Sequence, residues 1–255
     1  MKLATWNVNS LGVRLPHVVE WLGNESPDIL VMQEIKQITA AFPAAAFSEL
    51  GYHTVANGQK TYNGVAIACR EPSTDHVVEL PNFEDPQRRV LAASIGGVRV
   101  VNLYVPNGSS VGSEKYEYKL AWLAALHDYL AEELKRNDKL VVLGDFNIAP
   151  EDRDVYDPVK WGDDILCSPA ERKALRKLLE LGLIDVYRQF DQPAASFSWW
   201  DYRAAGFRRN AGLRIDLILA SKSMARTCTG SRIDKEPRTW ERPSDHAPVL
   251  AEFSL

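Results

Sequence analysis

Cysteine is scarce in this sequence. Its 255 residues include three, Cys69, Cys167 and Cys228, which is an odd number at wide spacing. No two of them form the Cys-x-x-Cys pair that zinc sites and redox motifs use. We therefore expect reduced thiols, and with them a cytoplasmic protein.

Long hydrophobic runs are also lacking. Residues 1–7 do not have the apolar segment of a signal peptide, and no later run is long enough to span a bilayer. We expect a soluble intracellular protein that has no membrane partner.

The sequence also lacks an excess of basic residues. The net charge of -4 and the pI of about 5.8 argue against a protein that binds nucleic acid by charge alone, because such domains are usually basic. Any contact with phosphate must then come from local basic groups or from a metal ion. The protein contains 45% hydrophobic and 25% charged residues, which are ordinary globular values. Because no low-complexity linker divides the chain, we expect a single domain over residues 1–255.

The run over residues 139–147 is the clearest strand signal. Strand-forming apolar residues end at Gly144, and Asp145 and Asn147 follow on the same side of an extended chain. An isolated pair of this kind would be best explained as an Asx turn that closes a strand. Three other apolar runs end in the same way, at Asn7, at Glu34 and at Asp216. The repetition predicts a shared polar site at one edge of a sheet.

Strand and helix signals alternate irregularly along the rest of the chain. Residues 3–32 form a β-α-β pattern, which places Asn7 and Glu34 at the same sheet edge if the crossover is regular. The pattern indicates further strands at 62–68, 87–93, 98–105 and 215–220, and helices at 37–50, at 120–134 and from residue 169 to Gly182. This mixture favours one α/β domain with two packed sheets flanked by helices.

Seven short motifs occur in a characteristic order. They cover residues 5–9 (TWNVN), 33–36 (QEIK), 62–65 (YNGV), 104–108 (YVPNG), 144–147 (GDFN), 213–216 (LRID) and 244–248 (SDHAP). In type and order they resemble the motifs of the exonuclease III-type apurinic/apyrimidinic endonucleases, and the resemblance runs from residue 3 to about residue 253. It implies a four-layered α/β sandwich of the DNase I-like kind, with two packed mixed sheets flanked by helices.

The resemblance also implies a function. Members of this group are metal-dependent nucleases of DNA base-excision repair that hydrolyse the phosphodiester 5′ to an abasic site. They also act as 3′-phosphodiesterases, and some act as 3′–5′ exonucleases. We expect double-stranded DNA with abasic sites or blocked 3′ ends as the substrate, and a monomer as the active form. The alternative is a phosphatase or phosphodiesterase of the same superfamily that acts on a non-DNA phosphate ester.

Oxygen ligands dominate the expected site, which suits Mg²⁺, with Mn²⁺ able to replace it. Glu34 is the first choice as metal ligand, with Asn7 and Asp245 in or near the same shell. The resemblance supports this choice, since Glu34 taken alone would be an ordinary solvated carboxylate. At residue 9 the chain has asparagine where relatives often have aspartate, so a direct metal contact there is not expected.

Five residues are candidates for the chemistry itself. Asp145 fits a carboxylate that receives a proton from the attacking water, while Asn147 orients that water. His246 could donate to a phosphate oxygen in its protonated form, with Asp216 holding the ring. Tyr104, and Asn107 beside it, could donate to phosphate oxygens from the same edge, a role that depends on the resemblance because a tyrosine ending a strand is more often packing.

Aromatic and basic residues interleave between residues 197 and 209, a pattern suited to stacking on bases and pairing with phosphates. The alternative is a core aromatic cluster with solvated arginines, which is the better explanation for Trp200. Leu213 and Ile215 fall on one face of a short strand and could hold a bare sugar, or could simply be core. The predicted substrate-binding residues are Asn107, Trp199, Leu213, Ile215, Arg203, Arg208 and Tyr62.

Overall fold

A computed structural model describes residues 1–81 and 83–255 of the protein. In this part of the chain the strands are β1 (Lys2–Asn7), β2 (Ile29–Gln33), β3 (His53–Asn57), β4 (Val65–Cys69), β5 (Thr74–Val77), β6 (Val90–Ile95), β7 (Val98–Tyr104), β8 (Leu140–Asp145), β9 (Leu183–Asp185), β10 (Asp216–Ser221), β11 (Cys228–Ile233) and β12 (Val249–Phe253). The helices are α1 (Leu11–Glu25), α2 (Ala44–Ser48), α3 (Glu114–Arg136), α4 (Pro158–Trp161), α5 (Pro169–Glu180) and α6 (Lys222–Thr227). Short 3-10 turns cover Thr39–Ala41, Asp152–Asp154, Val186–Gln189, Arg203–Ala205 and Glu236–Thr239.

The strands form two six-stranded mixed sheets. The first sheet has the order β11-β12-β1-β2-β4-β3, and the second has the order β5-β6-β7-β8-β10-β9. Each sheet contains one parallel pair, β1 with β2 and β7 with β8, and the other pairs are antiparallel. Helices α1 and α3 make the two crossovers, because parallel neighbours require a long connection.

Alternation along the strands explains why the sheets stack. In β8, Val141 and Leu143 point into the core between the two sheets, whereas Leu140 and Val142 point to the opposite face and contact the helices there. Side chains in a strand alternate between the two faces of a sheet, so a continuous apolar run requires cover on both sides. Helices α3 and α5 cover one sheet and α1 and α2 cover the other. The layers are therefore helix, sheet, sheet and helix, and the predicted four-layered sandwich is confirmed.

A small network of hydrogen-bonded polar side chains lies between the sheets. The side chain of Gln33, in the first sheet, donates to Asn102 Oδ1 in the second at 2.8 Å and to Thr5 Oγ1 at 2.9 Å. The amide of Asn102 donates in turn to the carbonyl oxygens of Met32 (3.0 Å) and Ala66 (2.9 Å). Hydrogen bonds inside an apolar core are directional, so this network fixes how the sheets align.

Several predicted elements need correction. Residues 37–50 are two short helical pieces separated by Pro43, because proline prevents helical geometry in the residue before it. The strand predicted from residue 62 begins at Val65, and Tyr62 lies in an exposed bend. In α3 the predicted apolar face consists of Leu120, Leu123, His127, Leu130 and Leu134. Leu123 and Leu130 are buried, and the other three are half-buried. The buried face is rotated from it and is formed by Tyr116, Lys119, Trp122, Leu123, Leu126, Tyr129, Leu130 and Glu133.

The sequence did not predict strands β3, β5, β9, β11 and β12. Within residues 1–81 and 83–255, no helix combines the length and the hydropathy needed to cross a bilayer.

Candidate active site

The polar ends of the strands meet where the two sheets face each other. Strand β1 ends at Asn7, opposite Gln33 at the end of β2, and Glu34 follows directly. In the second sheet Asp145 ends β8 and lies in register with Asp216, the first residue of the antiparallel strand β10. One sheet therefore supplies an amide and a carboxylate, and the other supplies two carboxylates.

Asp145 is almost completely buried and all its close contacts are polar. Its Oδ1 accepts a hydrogen bond from the backbone N–H of Asn147 at 2.9 Å, and its Oδ2 accepts one from Asn7 Nδ2 at 2.9 Å. Burial raises the pKa of Asp145, and the charges of Asp216 and Glu34 raise it further, whereas His246 and Asn7 oppose the shift; the pKa lies at about 7. A carboxylate with this pKa can both give up and take up a proton near neutral pH.

His246 is oriented by Asp216. Its Nδ1 lies 2.9 Å from Asp216 Oδ2, and its Nε2 points toward Asp145 Oδ2 at 3.8 Å. Burial by itself would lower the pKa of His246, but the negative charges of Asp216 and Asp145 outweigh burial and raise the pKa to about 10. The ring is therefore protonated at neutral pH, and its Nε2 is a hydrogen-bond donor.

Glu34 completes a group that could hold a cation. Ligand atoms of Glu34, Asp145 and His246 all lie within 4.8 Å of one another. Because the pairing with Asp216 keeps His246 protonated, the imidazole is a poor metal ligand, and the two carboxylates are the candidate ligands. Glu34 Oε1 accepts from Asn7 Nδ2 at 2.8 Å, and Glu34 Oε2 pairs with Lys36 Nζ at 2.8 Å.

The two other predicted metal ligands have different contacts. Asn7 directs its NH₂ group toward the carboxylates, since its Oδ1 accepts the backbone N–H of Asn9 at 3.0 Å. Asp245 lies outside the group of Glu34, Asp145 and His246. Its Oδ1 accepts from Asn9 Nδ2 at 2.9 Å and its Oδ2 from Trp199 Nε1 at 3.0 Å. In this structure Asp245 orients Trp199 and Asn9, and Asn7 is a donor to Glu34 and Asp145.

Tyr104, Asn107 and Asn147 line the side of the site formed by the second sheet. Asn107 Nδ2 donates to Asn147 Oδ1 at 3.2 Å, and Asn147 Nδ2 donates to the carbonyl of Val105 at 3.0 Å. Burial raises the pKa of Tyr104 well above its usual range, with the charges of Glu34 and Asp145 adding to the shift. Its hydroxyl therefore stays protonated and can donate. The Arg89 guanidinium lies 4.7 Å from the centre of the Tyr104 ring.

Comparison with known proteins identifies the family. A model of the Endonuclease/Exonuclease/phosphatase family matches residues 4–246. The chain belongs to this family. It is 38% identical to exodeoxyribonuclease III of Haemophilus influenzae, an alignment that covers 99% of this chain and 100% of the relative. The resemblance to the exonuclease III-type branch is therefore confirmed.

Solved structures of family members are also very similar. The chain is 53% identical to NExo of Neisseria, with a TM-score of 0.98 over 100% of both chains; that protein is described as a 3′ phosphatase bound to product DNA hairpin. A second NExo structure, from Neisseria meningitidis, is described as a 3′–5′ exonuclease. An AP endonuclease from Archaeoglobus fulgidus is 42% identical, with a TM-score of 0.96 over 100% of both chains.

The predicted substrate-binding residues of this family member divide into exposed and buried sets. Tyr62 is 68% exposed, and Arg208 is exposed as well. Arg203 is exposed but already pairs with Asp201, and the distance between Arg203 Nη2 and Asp201 Oδ2 is 2.6 Å. Asn107 is exposed and hydrogen-bonded to Asn147, and Trp199 is half-buried.

Leu213 and Ile215 belong to the buried set. They are 0% and 1% exposed and pack in an apolar cluster against which Trp199 lies. In this structure they support Trp199 from beneath and offer no surface to a ligand. Trp200 is fully buried, as the core interpretation predicted.

Sequence reasoning missed several residues of the endonuclease/exonuclease/phosphatase site. Ser198 Oγ accepts the backbone N–H groups of Ile215 and Asp216. Ser244 Oγ donates to the carbonyl of Asn7 at 2.6 Å and accepts the N–H of His246 at 3.2 Å. Ser198 left no signal, because its partners lie 17 and 18 residues away in sequence, whereas Ser244 belongs to the 244–248 motif and accepts the N–H of a residue two positions on. Lys119 could have been singled out from the sequence, because it is a charged residue among the apolar positions of a helix.

Proposed function

We propose that this protein is a metal-dependent nuclease of DNA base-excision repair. It hydrolyses the phosphodiester on the 5′ side of an abasic site and removes blocking groups from 3′ ends. The observation that carries the proposal is the arrangement of Asp145 between Asn7 and the His246–Asp216 pair, with Glu34 on the facing sheet. The descriptions of the relatives support DNA as the substrate, since they name an exodeoxyribonuclease III, a 3′ phosphatase bound to a DNA hairpin and an AP endonuclease.

Asp145 acts as the proton acceptor. Water attacks the phosphorus atom, the new P–O bond forms as the P–O3′ bond breaks, and the water proton passes to Asp145. The leaving 3′ oxygen takes up a proton from solvent. Because the pKa of Asp145 lies at about 7, the carboxylate is basic enough to accept that proton and still partly ionised at neutral pH. Asn147 orients the water beside it.

Donors around Asp145 stabilise the phosphate. His246 donates through Nε2 to a non-bridging oxygen, and Asp216 keeps the ring charged and oriented. Tyr104 and Asn107 donate from the other side. Donors that are fixed before the reaction stabilise the charge of the transition state without reorganisation, which is the largest contribution in many hydrolases.

The donor set fits Mg²⁺ or Mn²⁺. Glu34 supplies a carboxylate oxygen, the kind of ligand that these ions prefer, and it lies within 4.8 Å of ligand atoms of Asp145 and His246. When bound, the ion neutralises charge on the phosphate. Lys36 holds the second oxygen of Glu34, so Glu34 offers one oxygen to the ion.

Substrate contacts surround this centre. Trp199, fixed by Asp245 and supported by Leu213 and Ile215, faces the sugar at the reacting position. Tyr62 stacks or packs against the DNA on the opposite side of the cleft. Arg208, and Arg203 after it leaves Asp201, meet backbone phosphates.

A second candidate function is a nuclease specialised for 3′ ends. The NExo protein, 53% identical to this chain, is described as a 3′ phosphatase and as a 3′–5′ exonuclease. Leu213 and Ile215 also offer no exposed apolar surface for a bare sugar. The same catalytic group would hydrolyse a 3′-phosphate monoester, with Asp145 accepting the proton of the attacking water.

A comparison of three substrates tests these proposals. Purified protein is incubated with a duplex carrying one abasic analogue, with a duplex ending in a 3′ phosphate, and with nitrophenyl phosphate, each in Mg²⁺ and in EDTA. We expect cleavage of both duplexes in Mg²⁺ only, and none by Asp145→Asn. Hydrolysis of the 3′ phosphate alone would favour the 3′-end function. Preference for the small ester, or full turnover in EDTA, would refute the proposed DNA-repair function or its metal dependence.

A further inference from the structure

A buried lysine lies directly beneath the active-site loops. Lys119 on α3 has 0% exposure, and its Nζ donates to the carbonyl oxygens of Asn107 at 3.1 Å and Asn147 at 2.7 Å. It also pairs with Glu171 Oε1. An ammonium group has three N–H donors, so every donor of Lys119 is used.

The two carbonyls belong to different loops of the site. Asn107 follows β7 and Asn147 follows β8, and their side chains are joined to each other by the 3.2 Å hydrogen bond between Nδ2 and Oδ1. Lys119 joins the same two residues through their backbones. Together the two links fix the position of Asn147 relative to the loop that carries Asn107.

Glu171 holds the ammonium in place. Its Oε1 accepts the backbone N–H of Leu166 at 3.1 Å, and its Oε2 accepts Ser168 N at 3.0 Å and Ser168 Oγ at 2.6 Å. The carboxylate is therefore fixed at the start of α5. Gly108 leaves room for the lysine stem, because a Cβ there would lie 3.1 Å from Lys119 Cδ and φ at this residue is +93°.

Stability alone does not explain a buried pair of this kind. Removing two charges from water costs about as much as their attraction returns, and an apolar pair of similar volume is often as stable. An apolar pair could not hold two carbonyls from separate loops at a common point. We propose that Lys119 is a positioning residue, which acts on the reaction through Asn147 and Asn107. This inference rests on the proposed function of the site.

The test separates positioning from stability. Lys119→Met alone leaves Glu171 buried without its partner, so its melting temperature should fall. Lys119→Met combined with Glu171→Gln removes both charges and should recover most of that loss. We expect kcat of the double variant on the preferred DNA substrate to stay about 10- to 100-fold below wild type, since small misplacements cost rates of that order. KM should change less than about threefold, because His246 and Tyr104, the other proposed phosphate donors, do not contact Lys119.

A double-mutant measurement shows whether Lys119 acts through Asn147. If Lys119 acts through Asn147, then Asn147→Ala should lower kcat much less in the double variant than in the wild type. The matched control changes the exposed pair on the same helix, Lys135→Met with Glu132→Gln, whose Nζ–Oε1 distance is 2.5 Å. That control should leave kcat and KM unchanged.

Each result decides the proposal. Wild-type kcat in the double variant, a change confined to KM, or full additivity with Asn147→Ala would overturn it. Should the double variant not fold, Lys119→Arg keeps the charge and the ion pair but reaches the two carbonyls differently, and kcat should fall at near wild-type melting temperature; an unchanged kcat would again overturn it. Inactivity of the wild type on all DNA substrates would instead refute the proposed function.

Discussion

Asp145 combines two properties that conflict in a folded protein. It is buried beside other carboxylates, which destabilises its ionised form, and that same environment gives it a pKa of about 7. A group with a raised pKa favours the folded state while it is protonated and loses that contribution as it ionises. The residue that suits proton transfer at neutral pH therefore lowers the stability of the protein there.

Asp145→Asn should abolish most of the turnover. The change keeps the shape of the side chain and removes proton acceptance, which typically costs about 10²–10⁴-fold in rate. Single-turnover cleavage gives the rate, and fluorescence anisotropy should give DNA affinity close to wild type. A loss of less than about tenfold would assign the proton acceptance to another group.

The same variant should be more stable than the wild type in chelator at pH 8. The folded pKa of about 7 exceeds the usual 3.8, so this contribution to wild-type stability is fully present below pH 3.8 and is lost as pH rises through 7. Asparagine has no such loss. We expect about 1–2 kcal/mol at pH 8, less than the full shift would give because Asp145→Asn also removes the attraction between Asp145 and the protonated His246. Calorimetry between pH 5 and 8 should show the difference shrinking toward pH 5; a constant difference would contradict this explanation.

His246→Ala and Asp216→Ala should differ in severity. In the proposed mechanism His246 donates to the phosphate, so its loss should lower kcat about as much as the loss of Asp145, roughly 10²–10⁴-fold. Asp216 acts through the ring, and Asp216→Ala should be milder. The kcat values of the two variants at pH 7.5 are the measurement. A worse defect in Asp216→Ala would make Asp216 the base or a metal ligand.

At the scale of elements, the end of β8 depends on a glycine. Gly144 has φ of +151°, and a Cβ at this position would lie 2.0 Å from the carbonyl oxygen of Leu103 on the neighbouring strand β7. The close approach lets β8 deliver Asp145 next to Tyr104, with which it is in register. The glycine therefore sets the geometry of the active site through the strand pair.

Gly144→Ala should destabilise the protein and reduce activity together. The added methyl group must push β7 and β8 apart, which we expect to cost about 2–4 kcal/mol of unfolding free energy. Urea denaturation and kcat measure the two effects. Gly12→Ala in α1 is the control, because a Cβ there meets nothing within 4 Å. Equal stabilities for the two variants would show that the strand pair tolerates the methyl group.

Four of the five strands that sequence patterns missed lie at sheet edges, and the fifth, β12, lies between β11 and β1. Strands β3 and β11 are the edges of one sheet, and β5 and β9 are the edges of the other. An edge strand buries less of its surface, as the mostly exposed residues of β5 show, so it lacks the apolar pattern that marks β2 or β8. Its pairing is decided by hydrogen bonds to a neighbour that the local sequence does not reveal.

The residues of the site can also be separated into those that the sequence predicts and those that it does not. Asn7, Glu34, Asp145 and Asp216 were predictable because each ends or begins a central strand, and topology gathers such ends at one edge. The contacts of Asp245 were not predictable, since its oxygens bind Asn9 and Trp199, which are 236 and 46 residues away in sequence. Contacts between residues so far apart in sequence follow from the packing of loops, and they leave no periodic pattern in the sequence.

At the scale of the whole molecule, charge limits how DNA can be held. The net charge of -4 gives the molecule no overall attraction for a polyanion. Attraction must come from the exposed segment that carries Arg203 and Arg208, next to Trp199. Binding should consequently involve few phosphates and depend on salt accordingly.

Arg208→Ala should reduce the salt dependence of DNA binding. Each phosphate contact that is lost lowers the slope of log K against log salt by about 0.9. Arg203→Ala should have a smaller effect, because Arg203 is already paired with Asp201. Anisotropy titrations between 50 and 200 mM KCl, as a rough working range, measure both slopes. Identical slopes for Arg208→Ala and wild type would remove this arginine from the interface.

The division of the site between the two sheets also bears on how the enzyme is made. Asn7 is synthesised early, Asp145 much later, and His246 after nearly all the rest. A ribosome builds the chain from its amino end, so a growing chain that stops before residue 246 lacks the phosphate donor, and a finished chain lacks the site until both sheets have stacked. Nuclease activity therefore requires the completed fold, and an unfinished chain has an incomplete site.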